Sequence, residues 1–116
     1  WGWNMEYKDE QFHQKLRDVI PQIKETRINV IRTESNLKKV FWQQLCIAKD
    51  DGEKSYNAQK AKAEASKEYQ DAWMQVAVQK ATLDALNTEK SAVDMQFEEW
   101  RTKMANLRME RSRYGA

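Results

Sequence analysis

A chain of 116 residues with a formal charge of +2, one cysteine and one histidine has room for one domain. It can form no internal disulfide, and it carries no global field to draw in nucleic acid or an anionic membrane. One proline, three glycines and 33% charged residues favour long helices, while 41% hydrophobic content is too high for a disordered chain.

No apolar run approaches the roughly 18 residues of a membrane span, so no membrane span and a cytoplasmic location are expected. Charge is unevenly spread. Residues 1–50 hold nine basic and seven acidic side chains, residues 51–100 six and ten, and residues 101–116 five and one.

The first arm, about residues 5–49, carries apolar side chains at alternating spacings of three and four: Phe12, Leu16, Val19, Ile23, Val30, Leu37 and Val40, with Thr26 and Thr33 completing the series. This a/d heptad pattern predicts a helix with one narrow contact seam. Near Phe41, Leu45 and Ala48 the stripe shifts by one position, a stutter that widens the apolar face. Pro21 removes one backbone hydrogen bond but leaves the seam in phase, which predicts a kink between two roughly collinear pieces.

Asp50-Asp51-Gly52-Glu53 interrupts the pattern, and Gly52 suits a helix C-terminus that needs positive φ. A turn at about 50–53 is predicted. The second arm, about 54–113, begins with Ala58, Ala61 and Ala65 on one expected face. It continues through Tyr69, Ala72, Val76, Leu83, Leu86, Val93, Phe97, Trp100, Met104 and Leu107, with Gln79 and Lys90 as polar seam positions and Trp73 and Ala77 as flanks. Each arm is apolar on one stripe and requires a partner, which a reversal provides within the chain.

The expected fold is therefore all-α: a long antiparallel helical hairpin, or coiled coil, with a kink near Pro21 and an overhanging C-terminal helix, oligomeric through its unused surface. Residues 1–116 form a single helical-hairpin domain in this reading. Centring the reversal between Asp51 and Gly52 makes residue i face residue 103 minus i. Phe41 and Leu45 would then meet the small residues near Ala58, Thr33 would meet the Tyr69 to Trp73 region, and Trp3 would meet Trp100.

Chemistry-bearing residues are sparse. Glu10-Gln11-Phe12-His13 is one Glu-x-x-His unit, whereas a di-iron bundle needs two and further glutamates, so no metal and no cofactor are expected. Cys46 lies 33 positions from His13, about 50 Å along a helix, too far for a nucleophile and base; it is expected to be semi-buried and structural. The chain is expected not to be an enzyme.

Trp42, off the seam, together with Trp100, Met104 and Leu107, forms the candidate partner-binding set. The tail cations Arg101, Lys103, Arg108, Arg111 and Arg113 form a candidate basic patch, which complements the helix dipole, docks on an acidic protein groove or contacts phosphates. The layout of two long charged helices, a kink and an overhang is similar to the helical-hairpin stalk proteins of bacterial secretion and flagellar export systems. It is similar also to small accessory coiled-coil proteins of tailed bacteriophages. This resemblance is one of architecture only.

The functional expectation is a non-enzymatic coiled-coil module for protein–protein interaction: an adaptor, chaperone, inhibitor or assembly component that self-associates or binds a protein partner. The alternative is a nucleic-acid-associated protein that uses the basic C-terminal helix.

Overall fold

The computed structural model describes the backbone of residues 2–113 and the side chains of residues 8–113, and within that range the chain is an all-α helical hairpin. Helix α1 spans Gly2–Asp50, α2 Tyr56–Ala65 and α3 Lys67–Arg113. Two compact units divide the chain, one made of residues 1–23 with 85–116 and the other of residues 24–84.

The second of these units contains the reversal. Asp51 N donates to Ile47 O at 2.9 Å, Gly52 N to Lys49 O at 3.1 Å, and Glu53 N to Ala48 O at 3.1 Å. The last two bonds are the pair that closes a Schellman motif, with Gly52 as the left-handed residue beyond the cap. Its φ of +102° is the only positive φ among the described residues. Ser55, extended at φ −93° and ψ 149°, then caps α2 by accepting a hydrogen bond from Ala58 N.

The turn is fastened from the second arm by Gln59 Nε2, which donates to Glu53 O at 2.9 Å, and by a Lys62–Asp51 ion pair at 3.1 Å. Both ionic side chains are about half exposed, so this pair contributes little stability.

The second arm is broken once, where the sequence suggested continuity. Ser66 adopts an extended conformation between α2 and α3. Its Oγ–H donates to Ala63 O at 2.6 Å, and the same oxygen accepts from Tyr69 N at 3.2 Å. One side chain thus satisfies a carbonyl at the end of α2 and an amide in the first turn of α3. The break also changes the buried face of α2: Ala63 is 1% exposed, whereas Ala61 and Ala65 face solvent.

Elsewhere the seam of this unit follows the heptad. Thr26, Leu45, Ala48, Ala63, Ala72 and Val76 are buried, and Val30, Thr33, Leu37, Val40, Phe41, Tyr69, Gln79 and Leu83 are half-buried.

The register differs from the expected one. Phe41 packs on Tyr69 with ring centroids 5.9 Å apart, and Glu34 pairs with Lys80 at 3.4 Å. Facing residue numbers therefore add to 110 and 114 rather than 103. The offset is about one heptad, and residues 51–55 account for part of it, because they hold the second arm away from the first before α2 begins. A shift of one heptad returns every seam position to the seam, so apolar periodicity cannot detect it.

The unit of residues 1–23 and 85–116 has its own core. Val19, Ile23 and Val93 are buried, and Phe12, Leu16, Leu86, Lys90, Phe97, Trp100 and Met104 are half-buried. Phe12 meets Phe97 at 5.3 Å and Trp100 at 5.9 Å, with facing numbers of 109 and 112. Phe97 and Trp100 stack at 6.1 Å. Phe12 thus takes the place opposite Trp100 that the expected register assigned to Trp3, whose side chain lies outside the described residues.

Pro21 stands inside α1, which is helical on both sides of it. It has no N–H for Arg17 O, and the carbonyl next to that one, Asp18 O, accepts a side-chain hydrogen bond from Gln22 Nε2 at 2.9 Å. A donor from the next residue thus supports the weakened turn.

Candidate functional site: exposed faces of the hairpin

A single seam between two helices buries few side chains, and among the described residues no side chain falls below 2% exposure together with large volume. The chemistry of this protein must therefore be sought on its outward faces. Each helix has a wide solvent-facing arc, and several of these arcs are not polar. Ile28, Ile31, Trp42, Trp73, Met74, Val78, Met95, Leu107 and Met109 are all between 38% and 69% exposed.

The four candidate partner-binding residues fall in different settings. Trp42 is 62% exposed on α1, with its ring edge-on to Phe41 at 6.0 Å, so one edge is supported while the rest is open. Trp100 is half-buried and belongs to the Phe12–Phe97 cluster. Met104 is half-buried, and Leu107 is 38% exposed one turn further along α3. Trp42 lies in the unit of residues 24–84 and the other three lie in the other unit. Trp73, expected as a seam flank, is exposed.

The basic tail does not form one patch. Arg101, Lys103, Arg108, Arg111 and Arg113 are all exposed, but at about 100° per residue only Arg101 and Arg108 share a direction. Lys103 and Arg113 point away from them on the same helix. Arg101 is also occupied: it pairs with Glu98 at 3.4 Å and stacks over the Phe97 ring at 5.6 Å. Of these five cations only Arg111 and Arg113 stand in the last turn of α3, where positive charge complements the helix dipole.

His13 stands beside the seam residue Phe97. Its Nε2 is 3.5 Å from Asp9 Oδ2, and its ring lies 5.6 Å from that of Phe97. Cys46, expected to be semi-buried, is exposed on α1, because the stutter toward Leu45 and Ala48 turns position 46 away from the seam. Among the described residues no three His, Cys, Asp or Glu side chains gather as metal ligands would, and no helix is long and apolar enough to cross a membrane. Where α2 ends, Gln44, Ile47, Ala48, Lys62, Ala65 and Ser66 line a shallow cleft of about 290 Å³, small for a drug-sized ligand.

One signal was not picked out in the sequence. On the side of α1 that carries Trp42, Ile28 and Ile31 stand earlier along the helix, flanked by Lys24, Arg27, Arg32, Lys38 and Lys39, all of them exposed. A second periodicity, offset from the seam by half a helical turn, would have found it. Comparison with protein-family models, curated proteins and solved structures returned no match for this chain.

Proposed function

We propose that this chain is a non-enzymatic, cytoplasmic protein–protein interaction module: a helical hairpin whose seam supplies rigidity and whose outward apolar side chains engage a protein partner or another copy. The observation that supports this is the exposure of Trp42 and Ile31, at 62% and 69%, on a helix whose opposite face is already buried. Burying an exposed Trp or Ile contributes about 25 cal/mol per Å² of apolar area, and aromatic anchors of this kind dominate interface energetics. Leu107, with half-buried Trp100 and Met104, supplies a second contact region in the other unit.

An adaptor, chaperone, inhibitor or assembly component uses a surface of this type. His13 and Cys46 take no catalytic part in this reading: the first is engaged with Asp9 and Phe97, and the second stands on an outer face.

The test compares wild type with Trp42→Glu and with Met104→Asp/Leu107→Asp by light scattering and by cross-linking in extract of the native host. Loss of mass or of a cross-linked partner, with helicity retained in circular dichroism, supports the reading. Identical masses and identical cross-links in all three proteins would refute it.

A further inference from the structure

The outward faces of the two arms in the unit of residues 24–84 carry opposite charges around apolar centres. On α1, Ile31, Trp42 and Ile28 fall within an arc of about 60° at 100° per residue. Arg27 and Lys38 border that arc on one side, Lys39 and Arg32 on the other, and Lys24 lies along it. Two acids share these borders: Glu25 repeats the heptad position of Arg32 and Lys39, and Glu34, at that of Arg27, is paired with Lys80, so the face keeps a net positive charge. Among the described residues Lys24, Arg27, Arg32, Lys38 and Lys39 have no ion-pair partner.

The outward face of α3 between Gln70 and Asp84 is the counterpart. Met74, Val78 and Ala81 form its centre, with half-buried Ala77 at the edge. Its only charges are Asp71 and Asp84, one on each border, and both are exposed without an ion-pair partner. Lys80 is directed away, toward Glu34. The two faces also match in length: Ile28 to Trp42 and Asp71 to Asp84 each extend about 20 Å at 1.5 Å per residue.

We infer that the α1 face of one molecule docks on the α3 face of a second copy, side by side and in the same orientation. This rests on the interaction-module reading and names the partner. The register supports it. When two hairpins stand in parallel at the same height, α1 meets the neighbour's α3 with the facing numbers seen inside the hairpin, 110 to 114. Ala81 then stands level with Ile31, and Val78 with Ser35, so that large meets small. Asp84 falls beside Arg27 and Ile28, and Asp71 beside Lys39 and Trp42, which gives each acid a cation.

A contact between two different faces leaves one of each unused at every step, so it builds a row of molecules, or a ring if the rotation per step closes, rather than a two-fold dimer. Two helices touching over about 20 Å bury less than the roughly 1,600 Å² of a standard interface, so each contact is weak and sensitive to salt.

The experiment is analytical ultracentrifugation of the full chain and of two variants, each with one face neutralised by a good helix former: Ile31→Gln/Trp42→Gln and Met74→Gln/Val78→Gln. Circular dichroism checks that both variants remain helical. Wild type should grow past the dimer mass with concentration at 50 mM salt, and lose at least half of that association at 500 mM. Each variant alone should be monomeric, and an equimolar mixture should stop at a 1:1 pair, because each partner retains the face the other lacks.

A wild type that is monomeric throughout, or that stops at a closed dimer, overturns the inference, as does a mixture that stays monomeric. If wild type is monomeric yet a cross-linked partner from host extract still depends on Trp42, the interaction-module reading stands and only the second-copy assignment fails.

Discussion

Replacing Gly52 separates backbone strain from packing at the reversal. The residue has φ of +102°, and a Cβ built on it meets nothing within 4 Å. The penalty of an L side chain is therefore conformational alone, about 1–2 kcal/mol for Gly52→Ala. Gly52→Asn should cost less, because asparagine tolerates positive φ at this position of a helix end.

A D-alanine introduced by ligation should do the opposite. It prefers positive φ and restricts the unfolded chain, so a gain of about 0.4–1 kcal/mol is expected. Equilibrium urea unfolding followed at 222 nm measures all three, with an unchanged slope if the unfolded surface is the same. If L-Ala and D-Ala shift the midpoint equally, or L-Ala stabilises, Gly52 is not the strained hinge of this hairpin.

Three further outcomes follow from the same geometry. Ser66→Ala removes the cap shared by α2 and α3 and should cost about 1 kcal/mol, measured by urea midpoint, whereas Ser66→Asp should recover most of it. Lys90→Leu places an apolar side chain at a half-buried seam position and should raise the melting temperature, at the expense of the register specificity that a polar seam residue supplies. Lys80→Gln removes the exposed Glu34 pair and should change stability by less than about 1 kcal/mol.

Much of the hairpin was legible in the sequence because its seam obeys one periodicity. Every a/d position from Leu16 to Val40 and from Tyr69 to Met104 is buried or half-buried, including the polar Thr26, Gln79 and Lys90. Gly52 announced its positive φ through its place after Asp50-Asp51. The register was not legible, because sliding one arm by a heptad restores the same stripe opposite the same stripe. Only particular contacts, such as Phe12 with Trp100, distinguish the two alignments.

The break at Ser66 was obscured by an alanine-rich segment in which Ala58, Ala61 and Ala65 mark one face by spacing, whereas Ala63, on the opposite side, is the one that is buried. The outer faces were missed for a different reason. A search for the strongest stripe stops at the seam, and the weaker pattern of Ile28, Ile31 and Trp42 among cations appears only when the opposite side of α1 is read on its own.

The pairing of α1 with the second arm within one molecule can be measured through spin labels at Glu34→Cys and Lys80→Cys in a Cys46→Ser background, diluted with unlabelled protein. Those two side chains touch at 3.4 Å in the native hairpin, so strong dipolar coupling at a separation under about 20 Å is the expected result. A separation near 69 Å, the rise of an unbroken helix between the two positions, would contradict the hairpin.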